Sequence, residues 1–203
     1  MQRTALRASD GAVLWQHPVA NAGGGVTITD GVAYFDLVGD VTAYTLADGV
    51  QIWRHQPEQL IGQGDSSIVA GGGMVFAGAA TSVIALRASD GSLAWAYGPT
   101  HFPTGQAYAN GVVYVTGQGN ARQPATLVAL QATDGKQLWS VGLDLPGVWP
   151  PVCANGIVYV SDDDGPAGQS LRPGLVYAIR ATDGSVLWKH ERPDGIVTAP
   201  AAG

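Results

Sequence analysis

The chain carries one cysteine among 203 residues, Cys153, so no internal disulfide can form. Charge is sparse too. Ten Lys and Arg against sixteen Asp and Glu leave a net charge of −6, without the basic surplus that neutralising phosphates demands, which argues against a nucleic-acid partner. No apolar run approaches the roughly 18 residues of a membrane-spanning helix. Room for helices is short, because the longest stretch free of both Gly and Pro is Ala79 to Asp90. A nucleophile elbow, a phosphate-cradling glycine loop and paired metal-ligand motifs are all missing. The opening residues, Met1 to Leu6, enter a strand pattern without the apolar core of a signal peptide. That implies a cytoplasmic protein or an export signal lying outside this chain.

What the chain does have is apolar content, glycine and repetition. Apolar residues make up 46% and Gly 29 of 203, the latter about twice the usual share of roughly 7%. Asp-Gly pairs stand at 10/11, 48/49, 90/91, 134/135 and 183/184. A Trp follows each Asp by five residues (Trp15, Trp53, Trp95, Trp139, Trp188), and an Ala precedes it by five (Ala5, Ala43, Ala85, Ala129, Ala178). This is the signature of a stacked repeat. A second signal, Asp30-Gly31, Gly73, Asn110-Gly111 or Asn155-Gly156 before alternating β-branched and aromatic residues, reads as a hairpin turn opening a strand. Each unit therefore has four strands, A to D, with the Ala on C and the Trp on D. Such a sheet must stack face to face with its neighbours. The Trp residues are expected to glue sheets together, with Ala leaving room for the next sheet to approach.

The segment Ala-x-x-x-x-Asp-Gly-x-x-Leu-Trp resembles the quinoprotein-type, or PQQ-binding-like, β-propeller repeat, whose Trp-docking motif reads Ala-x-Asp-x-x-Thr-Gly-x-x-x-Trp. Ala, Gly and Trp match in every copy. The motif's Asp is replaced by Arg7, Thr45, Arg87, Gln131 or Arg180, and its Thr by Asp throughout. The WD40 repeat is excluded because the residue after Trp is Gln16, Arg54, Ala96, Ser140 or Lys189, never Asp. The resemblance spans nearly the whole chain and implies an all-β propeller of four-stranded antiparallel blades. Residues 18–57, 58–100, 101–145 and 146–192 supply blades, 1–17 a C–D hairpin, and 193–203 a strand A. The expectation is a single domain forming a segment of a longer propeller or an incomplete ring, with further blades of the same parent chain; a closed five-bladed ring is the alternative.

Because strands alternate in direction, the uniform A–B and C–D turns share one face, and the longer, variable B–C and D–A loops share the other. The variable face is the expected binding face, for a protein or a small molecule. Its candidate residues are Asp162, Asp163 and Asp164, as a Ca²⁺ cradle or a solvated turn; Arg122 and Arg172, as an anion clamp or solubilising cations; and Trp149, lining the funnel or packing on Pro150 and Pro151. His17, His55 and His190 each fall two residues after a docking Trp, on different blades, so they cannot converge on one metal. His101 stands alone in a D–A loop, and Cys153 reads as a buried thiol.

Two main functions compete. One is a non-catalytic binding or scaffolding propeller. The other, implied by the resemblance, is a segment of a PQQ-dependent dehydrogenase with Ca²⁺, although such enzymes pair adjacent cysteines and Cys153 is flanked by Val152 and Ala154. No cofactor is required by the residues themselves. An extracytoplasmic sensor domain of a larger protein is a third reading that the resemblance allows.

Overall fold

The computed structural model describes residues 2–18, 24–37, 40–56, 67–79, 81–98, 103–119, 123–145, 147–161 and 174–192. A hairpin of β1 (Gln2–Leu6) and β2 (Val13–Pro18) comes first. The first four-stranded sheet contains β3 (Val26–Thr29), β4 (Val32–Leu37), β5 (Asp40–Thr45) and β6 (Gln51–His55). The second contains β7 (Ile68–Gly71), β8 (Met74–Ala79), β9 (Ser82–Arg87) and β10 (Leu93–Tyr97). The third is β11 (Pro103–Ala109), β12 (Val112–Gly117), β13 (Ala125–Gln131) and β14 (Gln137–Leu143). The fourth is β15 (Val152–Ala154), β16 (Ile157–Ser161), β17 (Gly174–Arg180) and β18 (Val186–Arg192). Every sheet is an antiparallel meander in chain order, and no described residue is helical.

The first strands of the sheets contact one another, β3 against β7, β7 against β11 and β11 against β15, so they converge on an axis and the sheets are the blades of a β-propeller. A blade-to-blade core fills each junction between consecutive four-stranded sheets. Trp53 joins Val75 and Leu86 of the next blade. Phe76 and Trp95 join Val113 and Leu130, and Tyr114 and Trp139 join Val158 and Ile179.

The repeated tryptophans do what their spacing predicts, at a different target. Ala and Trp of one repeat are cross-strand partners in the same blade, as in Ala43↔Trp53 and Ala129↔Trp139. The small surface that the indole meets across the gap is the glycine of the next blade's C–D turn. A Cβ added to Gly49, Gly91, Gly135 or Gly184 would stand 2.6–2.7 Å from Trp15, Trp53, Trp95 or Trp139 respectively. These glycines also sit at φ between 71° and 75°, which L side chains avoid. Each indole Nε1 donates to the backbone carbonyl three residues before that glycine: Leu46, Ala88, Ala132 and Ala181, at 2.9–3.0 Å. Burying one indole at about 25 cal/mol per Å² contributes at most about 4–6 kcal/mol. Trp188 departs from this scheme: it is 47% exposed, because no described turn lies over it.

The C–D turns themselves follow their chemistry. The Asp side chain accepts from the backbone N–H two residues on in every copy, for example Asp90 from Ser92 at 2.9 Å and Asp134 from Lys136 at 3.0 Å. In three copies the altered motif position pairs with the turn Asp, and in one of them Thr and Asp stand in exchanged places. Thr45 bonds Asp48, and Arg7 and Arg180 pair with Asp10 and Asp183 at 2.8 and 3.2 Å.

Candidate binding face

The variable face is best described where blade three passes into blade four. Here the chain is held by its backbone. Ala125 N donates to Leu145 O at 3.0 Å, and Trp149 N to Ser161 O at 3.1 Å. Val148 is buried beside them. Pro150 lies so close to Gly105 of the neighbouring inner strand that a Cβ there would stand 2.4 Å from the proline ring. Asp144 N donates to the Tyr177 hydroxyl at 3.2 Å, and its carboxylate lies 3.6 Å from Lys189 Nζ. Burial pushes the Tyr177 hydroxyl pKa up.

The connection therefore presents two exposed groups from a fixed backbone: the Trp149 ring, 36% exposed, and the Asp144 carboxylate. Pro150 is engaged by Gly105 of the adjacent blade, so the prolines serve to pin this loop while the indole faces solvent. At the inner end of blades two and three a polar cluster ties the same face together. Ser67 Oγ donates to Gln106 Oε1 at 2.9 Å and accepts from Gln106 N at 2.8 Å. Thr104 Oγ1 donates to Thr116 Oγ1 at 3.0 Å, and Thr116 to Gly105 O at 3.2 Å.

Trp149 is thus the one candidate binding residue that the structure describes. Arg122, Asp162, Asp163, Asp164 and Arg172 lie outside the described residues, as does His101. Sequence reasoning missed the role of His17. Its Nε2 lies 2.7 Å from Gly49 O, and its ring is 5.2 Å from that of Trp15, so the histidine and the indole together grip one turn of the next blade. The signal was available, since the position two after Trp points to the same face as the Trp itself.

Holding a divalent cation needs clustered donors that the described residues do not assemble. Among them no three His, Cys, Asp or Glu come together as a cation site. Cys153 is half-buried, and burial raises its thiol to about 11, leaving it protonated at neutral pH. The Ca²⁺ and paired-cysteine arrangement of quinone-dependent dehydrogenases does not fit these residues.

No helix among the described residues is long and apolar enough to cross a membrane. No curated protein is a detectable sequence relative. Similar solved structures include the computationally designed Ika8 protein, at 15% identity and a TM-score of 0.65, covering 93% of this chain and 68% of that one. BamB from Moraxella catarrhalis matches at 16% identity and a TM-score of 0.60, over 89% of this chain and 65% of its own. Quinohemoprotein alcohol dehydrogenase ADHIIG from Pseudomonas putida HK5 matches at 16% identity and 0.65, over 86% and 34%. The chain thus spans about two thirds of the first two proteins and a third of the last. These likenesses establish a shared propeller fold. The profile of the outer membrane protein assembly factor BamB family matches residues 2–107 and again 98–202, and the chain belongs to that family.

Proposed function

We propose that this chain is a non-catalytic scaffold that docks a protein partner on its loop-rich face, with Trp149 as the anchor. The observation that carries this reading is an exposed indole on a loop whose backbone is fixed by hydrogen bonds and by Pro150 against Gly105. A rigid aromatic pays little ordering entropy on binding, which is why Trp dominates protein interfaces. Membership of a family described as an outer membrane protein assembly factor supports a role in handling other proteins.

Selection of random displayed peptides on the 203-residue chain tests this. Enriched peptides are expected to bind with an affinity that Trp149→Ala lowers by about tenfold or more. Peptide binding indifferent to Trp149→Ala would overturn the assignment of the anchor. A parallel titration with PQQ and Ca²⁺, followed by absorbance, is expected to show no saturable binding. Saturation there would favour the dehydrogenase reading instead.

A further inference from the structure

Among the described residues, both halves of a blade-to-blade contact lie open. On the donor side, Trp188 is 47% exposed, while Trp15 and Trp53 are buried. Val176 and Tyr159 are half-buried, yet their equivalents two before the Ala (Val41, Val83, Leu127) and on the second strand (Tyr34, Phe76, Tyr114) are buried. An open cleft of about 380 Å³ lies over this face, lined by Val176, Trp188 and His190. On the acceptor side, Gly11 has nothing within 4 Å of an added Cβ, unlike Gly49, Gly91, Gly135 and Gly184. Leu6 is 58% exposed, whereas at the same repeat position Leu86, Leu130 and Ile179 are fully buried and Tyr44 is half-buried.

The two halves match the contact already present at the other end of the molecule. There Trp15 Nε1 donates to Leu46 O and His17 Nε2 meets Gly49 O. Trp188 and His190 repeat the Trp15 and His17 spacing, and Ala8 and Gly11 occupy the turn positions of Leu46 and Gly49. Gly11 already holds the required conformation, at φ 72° against 73° for Gly49.

We propose that two copies of this chain associate head to tail, the Trp188–His190 face of one seating the Ala8–Gly11 turn of the next. In this contact Trp188 Nε1 donates to Ala8 O, His190 pairs with Gly11 O, and Leu6 enters the cleft beside Val176. The interface continues the blade stacking across a chain boundary, and it is heterologous, so it closes into a ring only where the rotation from copy to copy completes a circle.

Sedimentation velocity of the 203-residue chain over a wide concentration range tests the proposal. The average mass is expected to rise above that of one chain with concentration. Trp188→Ala and, separately, Leu6→Glu are expected to weaken association by about thirtyfold or more. Both residues are exposed, so the variants retain the wild-type circular dichroism spectrum, and His190→Ala gives a milder donor-side lesion. An equimolar mixture of Trp188→Ala and Leu6→Glu should form a dimer and nothing larger, since each variant keeps one intact half. A wild-type chain that stays monomeric at every concentration, whether because its ends meet within one molecule or because the faces do not bind, overturns the proposal. So does a mixture that fails to associate when the wild type does.

Discussion

The indole of Trp95 lies against Gly135 so closely that a single added methyl would come within 2.7 Å of the ring, while its Nε1 donates to Ala132 O at 3.0 Å. The same relationship joins Trp53 to Gly91 and Trp139 to Gly184. Its consequences are specific because Gly11 has the same backbone conformation and no indole above it.

Gly135→Ala and Gly11→Ala therefore separate two costs. Both pay the left-handed backbone penalty of about 1 kcal/mol. Only Gly135→Ala also forces the Trp95 ring aside, an overpacking cost of about 1–3 kcal/mol more. Urea unfolding of the two variants is expected to rank them in that order; equal losses would mean that the indole does not press on the turn.

Trp53→Ala is expected to destabilise the chain by about 3–5 kcal/mol, the usual cost of removing a buried aromatic. Trp188→Ala in monomeric protein should cost less than about 1 kcal/mol, since the ring is half in solvent. Trp149→Ala should fall within about 0.5 kcal/mol of wild type for the same reason. Thermal unfolding at low concentration checks all three.

Acid should weaken the fold through its turns. Hydrogen bonds to Asp48 from the Thr45 hydroxyl, to Asp90 from Ser92 and to Asp183 from Ser185 hold these carboxyls below the ordinary range. Groups lowered in the native state contribute stability that is present above the unfolded Asp value of about 3.9 and is lost as pH falls through the native values. All three are fully exposed, so the effect is small. The urea midpoint is expected to drop below about pH 4, and Asp90→Asn to flatten part of that drop. A midpoint that rises on acidification would contradict the assignment.

Cys153 should resist alkylation in the native state. With its thiol raised to about 11 by burial, little thiolate exists at pH 8, whereas an unfolded cysteine near 8.5 is partly ionised. Iodoacetamide is expected to label the protein slowly in buffer and rapidly in urea. Equal rates would show the thiol to be open.

The blade pattern was legible because it rests on local chemistry: Asp-Gly at each C–D turn, alternation along the strands, and a Trp at fixed spacing. All three are repeated, so each copy checks the others. What the sequence hid was the landing place of each indole. Ala43 and Trp53 recur at one spacing because they face each other within a blade, but the contact across blades, Trp53 on Gly91, spans a variable loop and has no fixed separation. The contact of His17 was hidden for the same reason, since its partner Gly49 belongs to the next unit. On the variable face, Trp149 stood out as the one Trp outside the repeat. Its exposure followed from Pro150 packing on Gly105, a contact between blades that no local pattern records. The candidate residues Arg122, Asp162, Asp163, Asp164 and Arg172 fall in stretches of sequence where the repetition lapses, so no second copy checks their reading.

Blade stacking by indole on glycine is most directly read from the Hα chemical shifts of the turn glycines in monomeric protein. Gly49, Gly91, Gly135 and Gly184 are predicted to show strong upfield ring-current shifts that vanish, one at a time, when Trp15, Trp53, Trp95 or Trp139 is replaced by Leu; Gly11 is predicted to resonate at an ordinary position. Ordinary shifts at the four stacked glycines, or an upfield shift at Gly11 in the monomer, would contradict the account.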